Sequence, residues 1–244
     1  MTSTRCCWAT VHWMRFPSPM RAESLDLSLA PASAASWKIG PDSRLGQDGV
    51  RSPDSDIWCG VALYPDRSAA DAAMDTLNTY LPFVKNALEA WHALLMPITH
   101  RGECNHLDRS NPGEVFDTVR SDPGGPLLVL TTAGFNIFPG MDMERVKDFR
   151  RNVDRVRVWM RDADGWLATQ VFGPHTLGDD GVTISLWRDD ASMASFAYRP
   201  GVHRTQVDRY KAEHTADRTS FTRCRIVRTV GQWGGSDLLS VMRP

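Results

Sequence analysis

No excess of either charge sign marks this chain: 28 Lys+Arg face 29 Asp+Glu, leaving a formal net charge of -1. That balance excludes a global basic field able to hold nucleic acid or an anionic membrane. No apolar run approaches the ~20 residues of a membrane span, and Met1 to Phe16 lacks the basic-then-apolar leader of a secreted protein. Cysteine is scarce and unpaired in pattern: the five residues Cys6, Cys7, Cys59, Cys104 and Cys224 are odd in number and show no CxxC spacing. The sequence therefore predicts a cytoplasmic protein, with Cys59 and Cys224 as inert thiols inside apolar runs. The grouping His100, Cys104 and His106 comes nearest to metal-ligand spacing, but a polar loop that contains them is the plainer reading. A strand-linked GxGxxG, a Walker loop, HExxH and GxSxG are all missing, which removes dinucleotide, P-loop, zincin and hydrolase readings.

What is present is 244 residues, 42% hydrophobic and 23% charged, enough for a sizeable core in one large or two small domains. Short β-like runs alternate with helical patterns, and the pattern occurs twice. In the first half, Trp8 to Phe16, Ser36 to Ile39 and Asp56 to Tyr64 read as strands. A helix capped by Asp66 covers Ala69 to Val84, a short helix follows at Asn86 to His92, and a strand lies near Leu94 to Thr99. In the second half, Pro126 to Phe135 reads as a strand and Met141 to Val153 as a helix. Gly165 to Phe172 and Gly181 to Trp187 are strands, an Ala- and Met-rich helix follows, then a helix at Val202 to Ala212 and a strand at Thr222 to Val230. The joints match: Tyr64-Pro65-Asp66 and Trp187-Arg188-Asp189 both end a strand on an aromatic and supply an acidic cap. Each half reads β-α-β-β-α-β, the ferredoxin-like motif.

The expected division is 1–105, a linker 106–125 within the Asn-, Asp-, Pro- and Gly-rich stretch Arg101 to Gly125, and 126–244. The fold class is α+β, with tandem ferredoxin-like repeats forming an intramolecular dimeric-α/β-barrel-type fold. A cavity between sheet and helices, or between sheets, is its natural ligand site. Edge strands left by incomplete closure allow a homodimer.

The second half carries Val182-Thr183-Ile184-Ser185-Leu186-Trp187-Arg188, then Met193-Ala194-Ser195-Phe196-Ala197-Tyr198, then His203, then Gln232-Trp233-Gly234-Gly235. In this order the segments resemble the spheroidene monooxygenase family, haem proteins that oxygenate acyclic carotenoids, and Trp37-Lys38-Ile39-Gly40 adds to the likeness. The resemblance is dense from about Gly125 onward. It implies a haem b oxygenase on an α/β barrel related in shape to chlorite dismutases and aldoxime dehydratases, with His203 as the iron ligand.

A haem iron takes a neutral imidazole that a helix can hold rigidly. Gln206, Val207 and Tyr210 follow His203 on one helical face and give a wall for a porphyrin; without the resemblance, His203 reads as a surface histidine at a helix start. His12, between Val11 and Trp13, is the reserve candidate for ligand or acid/base. Alternation separates Thr183, Ser185 and Trp187 from Val182, Ile184 and Leu186. If the apolar set packs on helices, the hydroxyls and the indole face the barrel interior and orient bound oxygen. Phe149, Arg150 and Arg151 close a helix, where arginines pair with its last carbonyls or, functionally, with a haem propionate. Arg188 and Arg199 contend for the same role, and Phe196 lines the haem.

The reading is a haem-dependent monooxygenase acting on a lipophilic or aromatic small molecule of specialised metabolism, with an electron donor or peroxide as co-reactant. Two alternatives stand beside it: a haem-dependent dehydratase or nitrogen-heteroatom enzyme, and a cofactor-free barrel that binds a small ligand.

Overall fold

The computed structural model describes residues 8–20, 35–39, 55–104, 122–136, 138–173 and 180–238. The first repeat contains β1 (Trp8–Met20), β2 (Ala35–Ile39), β3 (Ser55–Tyr64), α1 (Arg67–Asp75), α2 (Leu77–Tyr80) and β4 (Glu89–Gly102). The second contains β5 (Leu127–Gly134), α3 (Met143–Met160), β6 (Trp166–Phe172), β7 (Gly181–Trp187), α4 (Asp190–Tyr198), α5 (Val202–Glu213) and β8 (Arg218–Gly231). All eight strands join one sheet in the order β2-β3-β1-β4-β8-β5-β7-β6. Within each repeat the order is second, third, first, fourth, which is the ferredoxin-like arrangement. The two fourth strands, β4 and β8, pair antiparallel from Trp91↔Gly231 to Gly102↔Ser220 and weld the repeats together. The molecule is thus an α+β fold with a curled antiparallel sheet of the dimeric α/β-barrel type.

Local chemistry explains the helix starts. Asp66 caps α1 by accepting from Ala69 N at 2.9 Å, and Asp189 caps α4 by accepting from Ser192 N at 2.7 Å. Each cap satisfies one of the free N–H groups of a first turn. The duplication is also visible in register, because Trp8 lies opposite Tyr64 in the first repeat and Leu127 opposite Trp187 in the second.

Alternation then assigns the faces. One cluster draws on both repeats: Val11 and Trp13 of β1, Val61 and Leu63 of β3, Trp91 and Leu95 of β4, Leu128 and Leu130 of β5, and Val182, Ile184 and Leu186 of β7. Trp233 stacks on Trp13 with ring centroids 4.9 Å apart and seals this interior. The opposite face of the first repeat packs Met14, Phe16, Trp58 and Tyr64 against Ala70, Ala73 and Met74 of α1. The opposite face of the second packs Leu127, Val129 and Trp187 against Met160 and Met193. Each such fully buried side chain contributes roughly 1.5–3 kcal/mol.

Several sequence expectations change. The helix expected at Asn86 to His92 does not form; Pro82–Asn86 is a short 3-10 helix, and β4 already starts at Glu89. Pairing of Glu89 to His92 with Arg15 to His12 overrides the helical propensity of Ala-Leu-Glu-Ala. The expected Ala69 to Val84 helix breaks into α1, α2 and that 3-10 turn. Arg101 and Gly102, at the start of the polar stretch that holds the expected linker, close β4, and residues 106–121 of that linker lie outside the described residues. Asp122 and Gly125 at its end are tied down by Arg225, which donates to both and to Asp190. Helix α3 runs to Met160, so Arg150 and Arg151 sit in its middle and not among its last carbonyls. No helix among the described residues is long and apolar enough to cross a membrane.

Candidate functional site

The second repeat leaves its helix-facing sheet surface partly uncovered. Thr131 of β5, Thr183 and Ser185 of β7, and Thr219 and Phe221 of β8 form the floor of a cavity of about 260 Å³. Helix α3 supplies Phe149, Val153, Val156, Arg157 and Met160, and α5 supplies His203, Gln206, Val207 and Tyr210. This volume is just under the roughly 300–1,000 Å³ usual for small-molecule sites. A smaller cleft of about 70 Å³, sharing Thr131, Phe149, Val153 and Thr183, continues past Arg150. His203 also borders an outer cavity of about 400 Å³ lined by Trp159, Ala163, Phe196, Arg199 and Pro200.

Thr183 and Ser185 therefore meet the cavity, but from the face opposite to the one expected. The apolar set Val182, Ile184 and Leu186 fills the barrel interior, and Thr183, Ser185 and Trp187 face the helices. The reason is physical: the interior is a sealed core shared by two repeats and tolerates fewer polar groups than a face that borders a cavity.

His203 lies in the first turn of α5. Its Nδ1 is 3.0 Å from the carbonyl oxygen of Ala197, which can only accept, so Nδ1 carries the proton. Nε2 then holds the lone pair and has no partner among the described residues. Burial pushes the imidazole below its usual pKa, against a smaller upward pull from the Ala197 carbonyl, so the ring is neutral at pH 7. Its ring packs on Phe196 at 5.1 Å, and Phe196 packs on Trp187 at 5.3 Å. The Trp187 indole donates to Ser185 Oγ at 3.0 Å, which links the ring stack back to the cavity floor. Thr219 donates to the Tyr210 hydroxyl at 3.1 Å and fixes the far wall.

The expected arginines scatter. Arg151 is exposed and 3.6 Å from Asp148. Arg188 forks onto Asp164 and Asp189 at 3.0 and 3.1 Å, outside the cavity. Arg199 lines the outer cavity. The guanidinium that does line the inner cavity is Arg157, whose Nη2 is 3.3 Å from Asp154 while its Nε is buried without a partner. A buried donor left unpaired costs about 1–3 kcal/mol. Arg157 was missed because α3 was expected to stop at Val153. The apolar spacing Phe149, Val153, Val156, Met160 continues the same face and was the available signal.

His12 does not enter the barrel interior. It faces the α1 side, buried, with Nε2 2.8 Å from Thr10 Oγ1 and Nδ1 2.9 Å from Nδ1 of His92. Cys104 is buried and His100 is 2.8 Å from the Thr222 hydroxyl, while His106 lies outside the described residues. No cluster of three or more His, Cys, Asp or Glu suited to a metal ion occurs among the described residues.

Duplicated ferredoxin-like repeats in one curled antiparallel sheet define an α+β fold of the dimeric α/β-barrel type, here with a neutral histidine beside a cavity under two helices. Spheroidene monooxygenase of Cereibacter sphaeroides is 25% identical over 230 residues, 89% of this chain. The chain spans 63% of that relative's length. No family model matches the sequence. Among solved structures, an aldoxime dehydratase in complex with butyraldoxime is 10% identical and covers 90% of this chain and 79% of its own, with a TM-score of 0.47. An anthrone oxidase-like protein is 11% identical and covers 96% of both chains, with a TM-score of 0.31.

Proposed function

We propose that the chain is a haem-dependent, monooxygenase-like enzyme acting on a lipophilic or aromatic small molecule. The observation that carries this reading is His203: a neutral imidazole, oriented by a backbone carbonyl through Nδ1, with Nε2 unpaired beside a cavity walled mainly by aliphatic and aromatic side chains. That donor arrangement suits a haem iron, since a ligating histidine ordinarily donates its other ring N–H to a carbonyl or carboxylate. The relative named spheroidene monooxygenase supports the monooxygenase part of this reading. Haem b, when bound, supplies an iron centre that activates dioxygen or a peroxide.

The chain's own residues then have separate tasks. His203 holds the iron through Nε2, and Ala197 fixes its tautomer and ring plane. Ser185 Oγ accepts from Trp187, which leaves its own hydroxyl proton free for an acceptor in the cavity. Thr183 adds a second hydroxyl on the same floor, two residues along β7. Val153, Val156, Met160, Val207 and Phe221 exclude water and favour an apolar substrate. Gln206 and Tyr210 supply polar groups on the α5 wall.

Absorption spectroscopy of the purified protein titrated with hemin, before and after dithionite, tests the reading. A Soret band that shifts on reduction, and is lost or displaced in His203→Ala, is the expected result. No hemin binding, or His203→Ala with full haem content and an unchanged spectrum, overturns it. Oxygen consumption during turnover separates an oxygenase from a dehydratase on the same scaffold.

A further inference from the structure

Arg150 and Arg157 are unlike the other arginines of α3. Arg145 reaches Asp217 at 2.8 Å, Arg151 pairs with Asp148, and Arg155 donates to Asn152 at 3.2 Å. Arg150 is half-buried and makes no hydrogen bond or ion pair with any described residue. Arg157 gives one nitrogen to Asp154 and keeps Nε buried and unpaired. Seven residues apart, the two lie on one side of the helix, separated by two turns or about 10.5 Å of rise. Arg157 lines the inner cavity and Arg150 the cleft that continues it, with Phe149, Val153 and Thr183 shared between the two spaces. The remaining walls offer hydroxyls, the amides of Asn152 and Gln206, apolar groups and one carboxylate, Asp154, which is paired with Arg157, so two guanidinium groups face a single acidic side chain. Burial also disfavours the charged form of Arg150, a penalty that a bound anion removes.

We infer that α3 presents a two-point carboxylate clamp, Arg150 and Arg157, and that the cavity takes a largely apolar ligand carrying two carboxylates. The inference rests on the haem reading above and deepens it: the two carboxylates are the propionates of the porphyrin. A guanidinium matches a carboxylate with paired N–H donors, and such contacts are the stronger class of hydrogen bond. Two of them set the register of an otherwise apolar disc along α3, while His203 fixes it from α5.

Titration of the full chain with hemin and with hemin dimethyl ester tests this, read by the Soret band and by quenching of tryptophan fluorescence. The wild-type protein is expected to prefer the diacid by at least about tenfold, the scale of one hydrogen bond to a charged group. Arg150→Leu and Arg157→Leu each reduce that preference, the double variant abolishes it, Arg157→Lys restores part of it, and Arg151→Leu on the exposed face leaves it intact. Equal affinity of the wild type for diacid and diester overturns the clamp without recourse to any variant, as does a preference that survives the double substitution. If both porphyrins bind in a His203-dependent way without preference, the clamp alone falls. If neither binds, the haem reading falls and takes the clamp with it.

Discussion

Trp187 belongs to two networks at once. Its indole donates to Ser185 on the cavity floor, and its ring backs Phe196, which in turn backs His203. Trp187→Phe removes the hydrogen bond and part of the ring volume but leaves the Ala197–His203 contact intact. The expected cost is about 1–3 kcal/mol of stability, measured as a shift in the urea midpoint. Hemin affinity should change far less than in His203→Ala, because the iron ligand is oriented by a different partner. At this scale the sequence grouped residues that the fold also gathers, though from the opposite face of β7 to the one expected. Thr183, Ser185, His203, Gln206 and Val207 do converge on one cavity. Alternation identifies two faces of β7 but carries no label saying which one meets helices, and that decision is made only by what packs against the sheet. Arginine roles were the least legible, since a guanidinium's long stem lets several positions reach the same place.

The pairing of β1 with β4 holds a buried pair of titratable rings that burial keeps uncharged at neutral pH. His12 and His92 are opposed in register, buried, and share a hydrogen bond between their Nδ1 atoms, in which one ring donates and the other accepts through a lone pair, so the two rings cannot both be protonated. Burial pushes His92 down to about 4, and burial together with His92 holds His12 well below the usual imidazole value. In the unfolded chain both titrate near 6.5. The unfolded state therefore binds more protons between pH 6.5 and about 4, and stability falls as pH falls through that window. Between pH 6.5 and 5, His92 alone accounts for roughly 2 kcal/mol. Urea midpoints at pH 7.5 and 5 should show the loss, and His12→Gln/His92→Gln should flatten it. An unchanged midpoint in the wild type would mean that the pair is solvated or charged when folded. The same strand shows why an element was misread: residues 86–92 carry helix-forming side chains, and only the long-range partner β1 makes the segment extended.

At the scale of the molecule, the duplication was legible because turn residues and aromatic strand ends repeat at half the chain's length, and both are local signals. The welding of β4 to β8 was not, because it joins residues more than a hundred positions apart and leaves no local mark. That seam decides cooperativity. Leu128 of β5 and Val61, Leu63 and Trp91 of the first repeat belong to one interior cluster, so neither repeat buries its inner face alone. If the repeats were independent domains, a core truncation in one would leave the other untouched. The shared interior predicts the opposite. Leu128→Ala should cost about 2–5 kcal/mol, and unfolding should remain a single transition. Hydrogen exchange should then show protection lost by a similar free energy in β3 of the first repeat and in β7 of the second. Two separate urea transitions, or loss of protection confined to residues after Asp122, would show that the linker divides the chain thermodynamically, and that the β4–β8 seam only docks two repeats that fold by themselves.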